Sequence, residues 1–192
     1  MFSQVAVKLA AGFNLRNFLL LLVAALVTTW YGLFWSVDYF SGLTGGLSFM
    51  DMQPTLTAAA LFEQTGSYDH EATRFYLWWS MFDYAWPFIT FTTMLFISFW
   101  LLQFLPASWQ RRFPWLVGAA YLTVLMDWLE NLGFAALVII RPAEPLWLAQ
   151  ITLVLHAAKL GFNFTFNLGF FVVLAAVVVV LICLVARFVM CP

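Results

Sequence analysis

The sequence predicts an all-α polytopic membrane protein, four transmembrane helices in a bundle with a polar interior in its outer half. Three observations carry that prediction. The 192 residues are 65% hydrophobic and only 9% charged, against roughly a quarter charged in an average globular domain. Four apolar runs are each long enough to cross about 30 Å of hydrocarbon. Within those runs sit ionisable residues that cost on the order of 3 kcal/mol each near a bilayer centre, so something must offset them.

Residues 1–17 mix apolar side chains with Lys8, Asn14 and Arg16, the pattern of a short interfacial helix or a positive flank. The first span is expected over about 18–37. It ends in Trp30, Tyr31, Phe34 and Trp35, an interfacial aromatic belt rather than a signal-peptide cleavage site. Residues 38–74 form the one long polar connection, with a surface helix expected over 55–64 and Thr55 as its cap. The second span, about 75–105, contains Asp83 and is expected to kink at Pro87. Arg111 and Arg112 lie in the following connection. The third span covers 115–140. After the turn around Pro142 and Pro145, the 43 residues 146–188 contain no proline, about twice a bilayer's thickness if helical throughout; the fourth span is expected at about 162–187, so either the part before Gly161 lies partly outside the hydrocarbon or Gly161 and Gly169 mark bends. All 192 residues then make one transmembrane domain.

Orientation follows from the cations. Lys8, Arg16, Arg111, Arg112 and Arg187 fall on one side, Arg74 and Arg141 on the other, which predicts cytoplasmic N- and C-termini. A net charge of −1 leaves no footprint for nucleic acid. Cys183 and Cys191 fit no disulfide framework and read as inert packing.

The chemistry concentrates where the third span carries Asp127, Glu130 and Asn131, which share one helical face. On the fourth span His156, Lys159, Asn163 and Asn167 draw a polar stripe at spacings of three and four. Asp83 lies in the outer part of the second span, and Asp51 closes the same space from the connection. Asp83, Asp127 and Glu130 are the candidate proton-transfer residues, because several intramembrane acids face a single lysine. Asp51, Trp79, Trp86, Asn131, His156, Lys159 and Asn163 are the candidate ligand-binding residues, the tryptophans supplying walls for an apolar body or a cation. One histidine without Glu-x-x-His or His-x-x-x-His spacing gives no metal site, and no cofactor is identified. The plainer alternative is that these polar groups only join helices.

Phe49-Met50-Asp51-Met52-Gln53, followed by Asp83 with Pro87 one turn later, resembles the EXPERA family of four-helix membrane proteins, which includes the emopamil-binding sterol isomerase and the sigma-2 receptor. The resemblance implies a lipid-accessible pocket in which an acid after the first helix and an acid in the second face an amphiphilic ligand. It transfers to Asp51 and Asp83; the Asp127/Glu130 pair stands outside it. Asp51-x-Gln-Pro, Asp83-x-x-x-Pro and Asp127-x-x-Glu-Asn together also look like a group of uncharacterised bacterial four-helix membrane proteins. The expected function is binding of a sterol-like or isoprenoid ligand at a buried carboxylate site, with isomerase-type proton transfer. The alternative is a non-catalytic accessory subunit meeting partner membrane subunits in a respiratory or photosynthetic complex.

Overall fold

A computed structural model describes residues 15–190, and all the regular structure among them is helical. The expected N-terminal interfacial segment, Lys8 and Cys191 lie outside the described residues. Four helical stretches are long and apolar enough to cross a membrane: Leu15–Thr44, His70–Leu102, Ala107–Ile140 and Leu146–Cys183.

The first stretch extends past the expected limit of residue 37. It comprises α1 (Leu15–Thr29), π-helical turns at Trp30–Ser36 and α2 (Val37–Thr44). In the π-helical part Ser36 Oγ donates to the Tyr31 carbonyl five residues back, at 3.0 Å. The rings of Tyr31, Trp35 and Tyr39 stack in series, with centroids 4.9 and 5.3 Å apart. The stretch stops at Gly45, whose φ of 70° is the left-handed geometry that glycine takes without strain.

The connection is folded into the protein. Phe49 and Met50 are fully buried, Phe49 stacking between Phe40 and Trp79 at 4.2 and 4.5 Å. A 3₁₀ turn at Met50–Met52 precedes α3 (Ala58–Ser67). The cap of α3 is Thr57, which accepts from the Ala60 amide at 3.1 Å, not Thr55; the helix is displaced by three residues from its expected start.

The second stretch is two helices, α4 (His70–Asp83) and α5 (Trp86–Leu102). It starts before the expected residue 75 because Asp69 caps it, accepting from the Ala72 amide at 2.8 Å. Pro87 sits in the first turn of α5 rather than kinking a helix interior, the position a proline tolerates. Its missing N–H is the one that would have paired with the Asp83 carbonyl, so the helix breaks directly after the acid. With α4 starting at His70, Asp83 lies about 20 Å along it, deeper than the roughly 12 Å that the expected start implies.

A short α6 (Ala107–Gln110) leads to α7 (Trp115–Ile140), whose limits match the expected third span. The last helix, α8 (Leu146–Met190), is 45 residues without interruption, so neither Gly161 nor Gly169 breaks it. Gly169 instead admits the Trp115 ring and Leu116, which a Cβ would overlap. Cys183 is exposed on α8 rather than packed.

α7 and α8 pack along most of their shared length, and two apolar clusters form around them. One, toward α5 and α6, contains Leu95, Phe99, Leu102, Leu116, Phe166 and Val173. The other, under the connection, contains Phe40, Phe49, Met50, Tyr76, Trp79 and Phe134. The buried polar residues of α4, α7 and α8 occupy the levels between the two.

Gly133 lets α7 meet α8, since a Cβ there would overlap the Thr152 side chain. Gly133→Ala should therefore cost about 1 to 3 kcal/mol by overpacking. Adding Thr152→Ala should restore part of the loss, a coupling that thermal unfolding of the two single variants and the double variant in detergent would reveal.

Candidate functional site

The ammonium of Lys159 organises the polar layer. An ammonium has three N–H donors; Lys159 donates to Glu130 Oε1 at 3.0 Å and to the backbone carbonyl of Asp51 at 3.2 Å, and forms an ion pair with Asp127 Oδ1 at 3.2 Å. The three acceptors come from two turns of α7 and from the 3₁₀ turn of the connection. The same group holds the ion pairs of Lys159 with Glu130 and Asp127 and of His156 with Glu130.

His156 makes the second crossing. Its Nε2 lies 2.8 Å from the Gln53 carbonyl, and its Nδ1 2.9 Å from Glu130 Oε1. A carbonyl only accepts, so Nε2 carries its hydrogen. The bond between Nδ1 and Oε1 then holds one proton between imidazole and carboxyl, a neutral acid–base pair or an ion pair of the same net charge.

Asn131 joins the remaining acid. Its Nδ2 donates to Asp83 Oδ2 at 2.9 Å and to Asp127 Oδ2 at 3.4 Å. The polar layer is thus one connected chain from Asp83 through Asn131, Asp127, Lys159 and Glu130 to His156 and the Gln53 carbonyl. Glu130, Asp83 and Asn131 are at most 2% exposed, so the links they make are shielded from water and strengthened by their low-dielectric surroundings. Four carboxyls face one lysine and one histidine. Ionising every group would leave two negative charges in excess, which burial penalises heavily. Burial raises the carboxyl pKa of Asp51, against the opposing pull of Lys159.

Local packing fixes these groups. Gln53 is held by the Gln64 carboxamide at 2.8 Å, and Gln64 in turn donates to the Ser48 carbonyl and the Tyr68 hydroxyl, both at 2.7 Å. That clamp presents the Gln53 carbonyl to His156. At the break after Asp83, Trp128 Nε1 donates to the Tyr84 carbonyl at 2.8 Å and the Tyr84 hydroxyl donates back to the Trp128 carbonyl at 3.3 Å. The loose end of α4 is therefore pinned to the residue that follows Asp127.

Beside the layer is a cleft of about 400 Å³. Asp51, Asp127, Lys159, Thr90, Thr123 and Asn163 supply its polar lining, and Trp86, Phe91 and Leu160 part of its apolar lining. Asp51 Oδ1 and Thr90 Oγ1 are buried without a hydrogen-bond partner. Trp86 is fixed by its Nε1 donating to Thr29 Oγ1 at 2.9 Å, and Asn163 by accepting from Asn167 Nδ2 at 2.6 Å.

Of the residues singled out in the sequence, Asp51, Trp86, Asp127, Lys159 and Asn163 line the cleft. Asp83, Glu130, Asn131 and His156 belong to the network behind it. Trp79 belongs to neither: it is packed in the aromatic cluster under the connection, its indole N–H without a partner. Thr90, Phe91, Leu160 and the backbone carbonyls of Asp51 and Gln53 were not foreseeable as a set. Among the described residues no three His, Cys, Asp or Glu side chains are grouped to hold a metal ion.

Removing the lysine should be far costlier than neutralising its partner. Lys159→Met strands two buried carboxylates and should cost about 3 to 5 kcal/mol, whereas Glu130→Gln keeps an acceptor in place and should cost about 1 to 2 kcal/mol. Unfolding in detergent tests the ranking, and equal losses would mean that the ion pairs do not hold the layer.

No family model, curated protein or solved structure matches this chain.

Proposed function

We propose that the four long helices form a transmembrane bundle whose polar interior lies in its outer half, and that the bundle binds a hydrophobic ligand, sterol-like or isoprenoid, in the cleft beside the Lys159 network. The observation that carries this reading is that, of the six buried side-chain polar atoms without a hydrogen-bond partner among the described residues, two, Asp51 Oδ1 and Thr90 Oγ1, belong to residues lining one apolar-walled cleft. Helix-joining polar groups find their partners across the interface, whereas a buried orphan carries a desolvation cost that a ligand group can relieve. The apolar lining takes the body of such a ligand, and the Asp51 and Thr90 side chains take one polar group.

The chemistry suited to the site is proton transfer to and from an alkene, as in an isomerase. Asp127 borders both cleft and network, so it is the group placed to exchange a proton with a ligand. Lys159, Glu130 and His156 act behind it as positioning residues and as a proton store, and Asp83 reaches it through Asn131. No net redox change is required.

The test is occupancy. Protein purified in mild detergent should carry an apolar molecule by native mass measurement. Leu160→Trp, which fills the cleft, and Asp127→Asn, which keeps shape but removes the acid, should each insert and fold yet lose at least about nine-tenths of it, equivalent to about 1.4 kcal/mol or more. Wild-type occupancy in both variants would leave the polar layer as helix-joining structure and favour the accessory-subunit alternative.

Orientation is tested separately. The proposed topology places both termini in the cytoplasm and the connection on the other side. A reporter fused after Pro192 should read as cytoplasmic and one inserted near Gln64 as external; both on one side would remove the four-crossing arrangement.

A further inference from the structure

The charges of this chain are segregated along the helices. All nine acidic residues lie within 38–83 and 127–144, and residues 1–37, 84–126 and 145–192 contain none. Those acid-free segments include the end of the protein where α5, α6 and the start of α7 meet the later part of α8. Apart from Lys159, whose partners are given above, their cations are Lys8, Arg16, Arg111, Arg112 and Arg187.

At that end a groove of about 350 Å³ runs between the α6–α7 connection and α8. It exists because α7 begins at Trp115 while α8 continues well past the level of Gly169, which packs on Trp115. Trp109, Phe113, Trp115, Leu168 and Val172 provide the apolar lining, and Arg112 is the one charged lining residue. The rings of Trp109 and Phe113 stack at 5.8 Å, which makes one wall rigid. Arg111 and Arg112 are exposed, and among the described residues neither forms an ion pair. The N-terminus of α7 opens here as well, with no side-chain cap and no acid in its first turn. The positive end of a 26-residue helix adds to the arginines in favouring an anion.

An apolar trough with a cationic mouth, flanked by helices long enough to cross a membrane, has the chemistry of a lipid and not of a soluble anion: the trough is wasted on phosphate alone. We infer that this groove binds an anionic phospholipid, its acyl chain lying against Leu168 and Val172 and its phosphodiester held by Arg112. Lys and Arg at the membrane surface attract anionic headgroups, and tryptophans at the same level suit the headgroup boundary. The site is independent of the cleft beside Lys159 and stands whether or not that cleft binds anything.

The full chain, reconstituted in phosphatidylcholine bilayers, can be titrated with brominated phosphatidylglycerol or brominated phosphatidylcholine, whose bromines quench tryptophans they touch. The wild type should prefer phosphatidylglycerol by roughly fivefold, the scale of one arginine at an anionic surface. Arg112→Gln should bring the preference close to unity, while Arg111→Gln, outside the groove lining, should keep most of it. Leu168→Trp, which fills the trough, should also abolish it, and each variant's thermal unfolding checks that the fold is kept. No wild-type preference, or equal losses in the two arginine variants, would overturn the assignment to a groove-bound lipid. Loss of the preference on adding inorganic phosphate at constant ionic strength would identify a free-anion site and overturn it equally.

Discussion

The structure depends on a buried ammonium held by two hydrogen bonds and two ion pairs. Lys159 is 8% exposed, and an unpaired charge at that depth would not be tolerated. Glu130, Asp127 and the Asp51 carbonyl satisfy it, and in doing so they tie α8 to α7 and to the connection at one point. The rest of the polar layer is what those acceptors need in turn: His156 for Glu130, Asn131 for Asp127 and Asp83. Each polar group in the layer is there because another one is.

That dependence explains why the connection is part of the fold. A loop whose only duty was to link two spans would run over the surface. Here its 3₁₀ turn and the residue that follows it each deliver a backbone carbonyl to α8, while Phe49 and Met50 fill the cluster above the layer. The Gln53–Gln64–Tyr68 clamp then restricts the connection from the far side. The helix break after Asp83 has a similar logic, since Pro87 lacks the N–H that would pair with the Asp83 carbonyl and Trp128 secures the neighbouring carbonyl of Tyr84.

Much of this was legible in the sequence, for identifiable reasons. The limits of α7 were readable because Pro114 and Pro142 bracket an apolar run, and the convergence of Asp127, Glu130, Lys159 and His156 because buried charge must be paired. The unbroken course of α8 was not readable, since a glycine that admits a neighbour's ring looks the same in sequence as one that bends a helix. Nor was the placement of Trp79, because an aromatic residue near an acid signals either a binding wall or plain packing until its neighbours are known. The roles of the Asp51 and Gln53 carbonyls were invisible for a deeper reason: every residue has a carbonyl, and only the fold selects which ones are used.

The continuity of α8 has a mechanical consequence. Lys159 and Gly169 are ten residues apart, about 15 Å along a single rod, and no hinge separates them. The cleft beside Lys159 and the groove beside Arg112 are therefore both lined from one uninterrupted helix, and the Trp115 ring packed against Gly169 fixes how closely α7 approaches it at the groove.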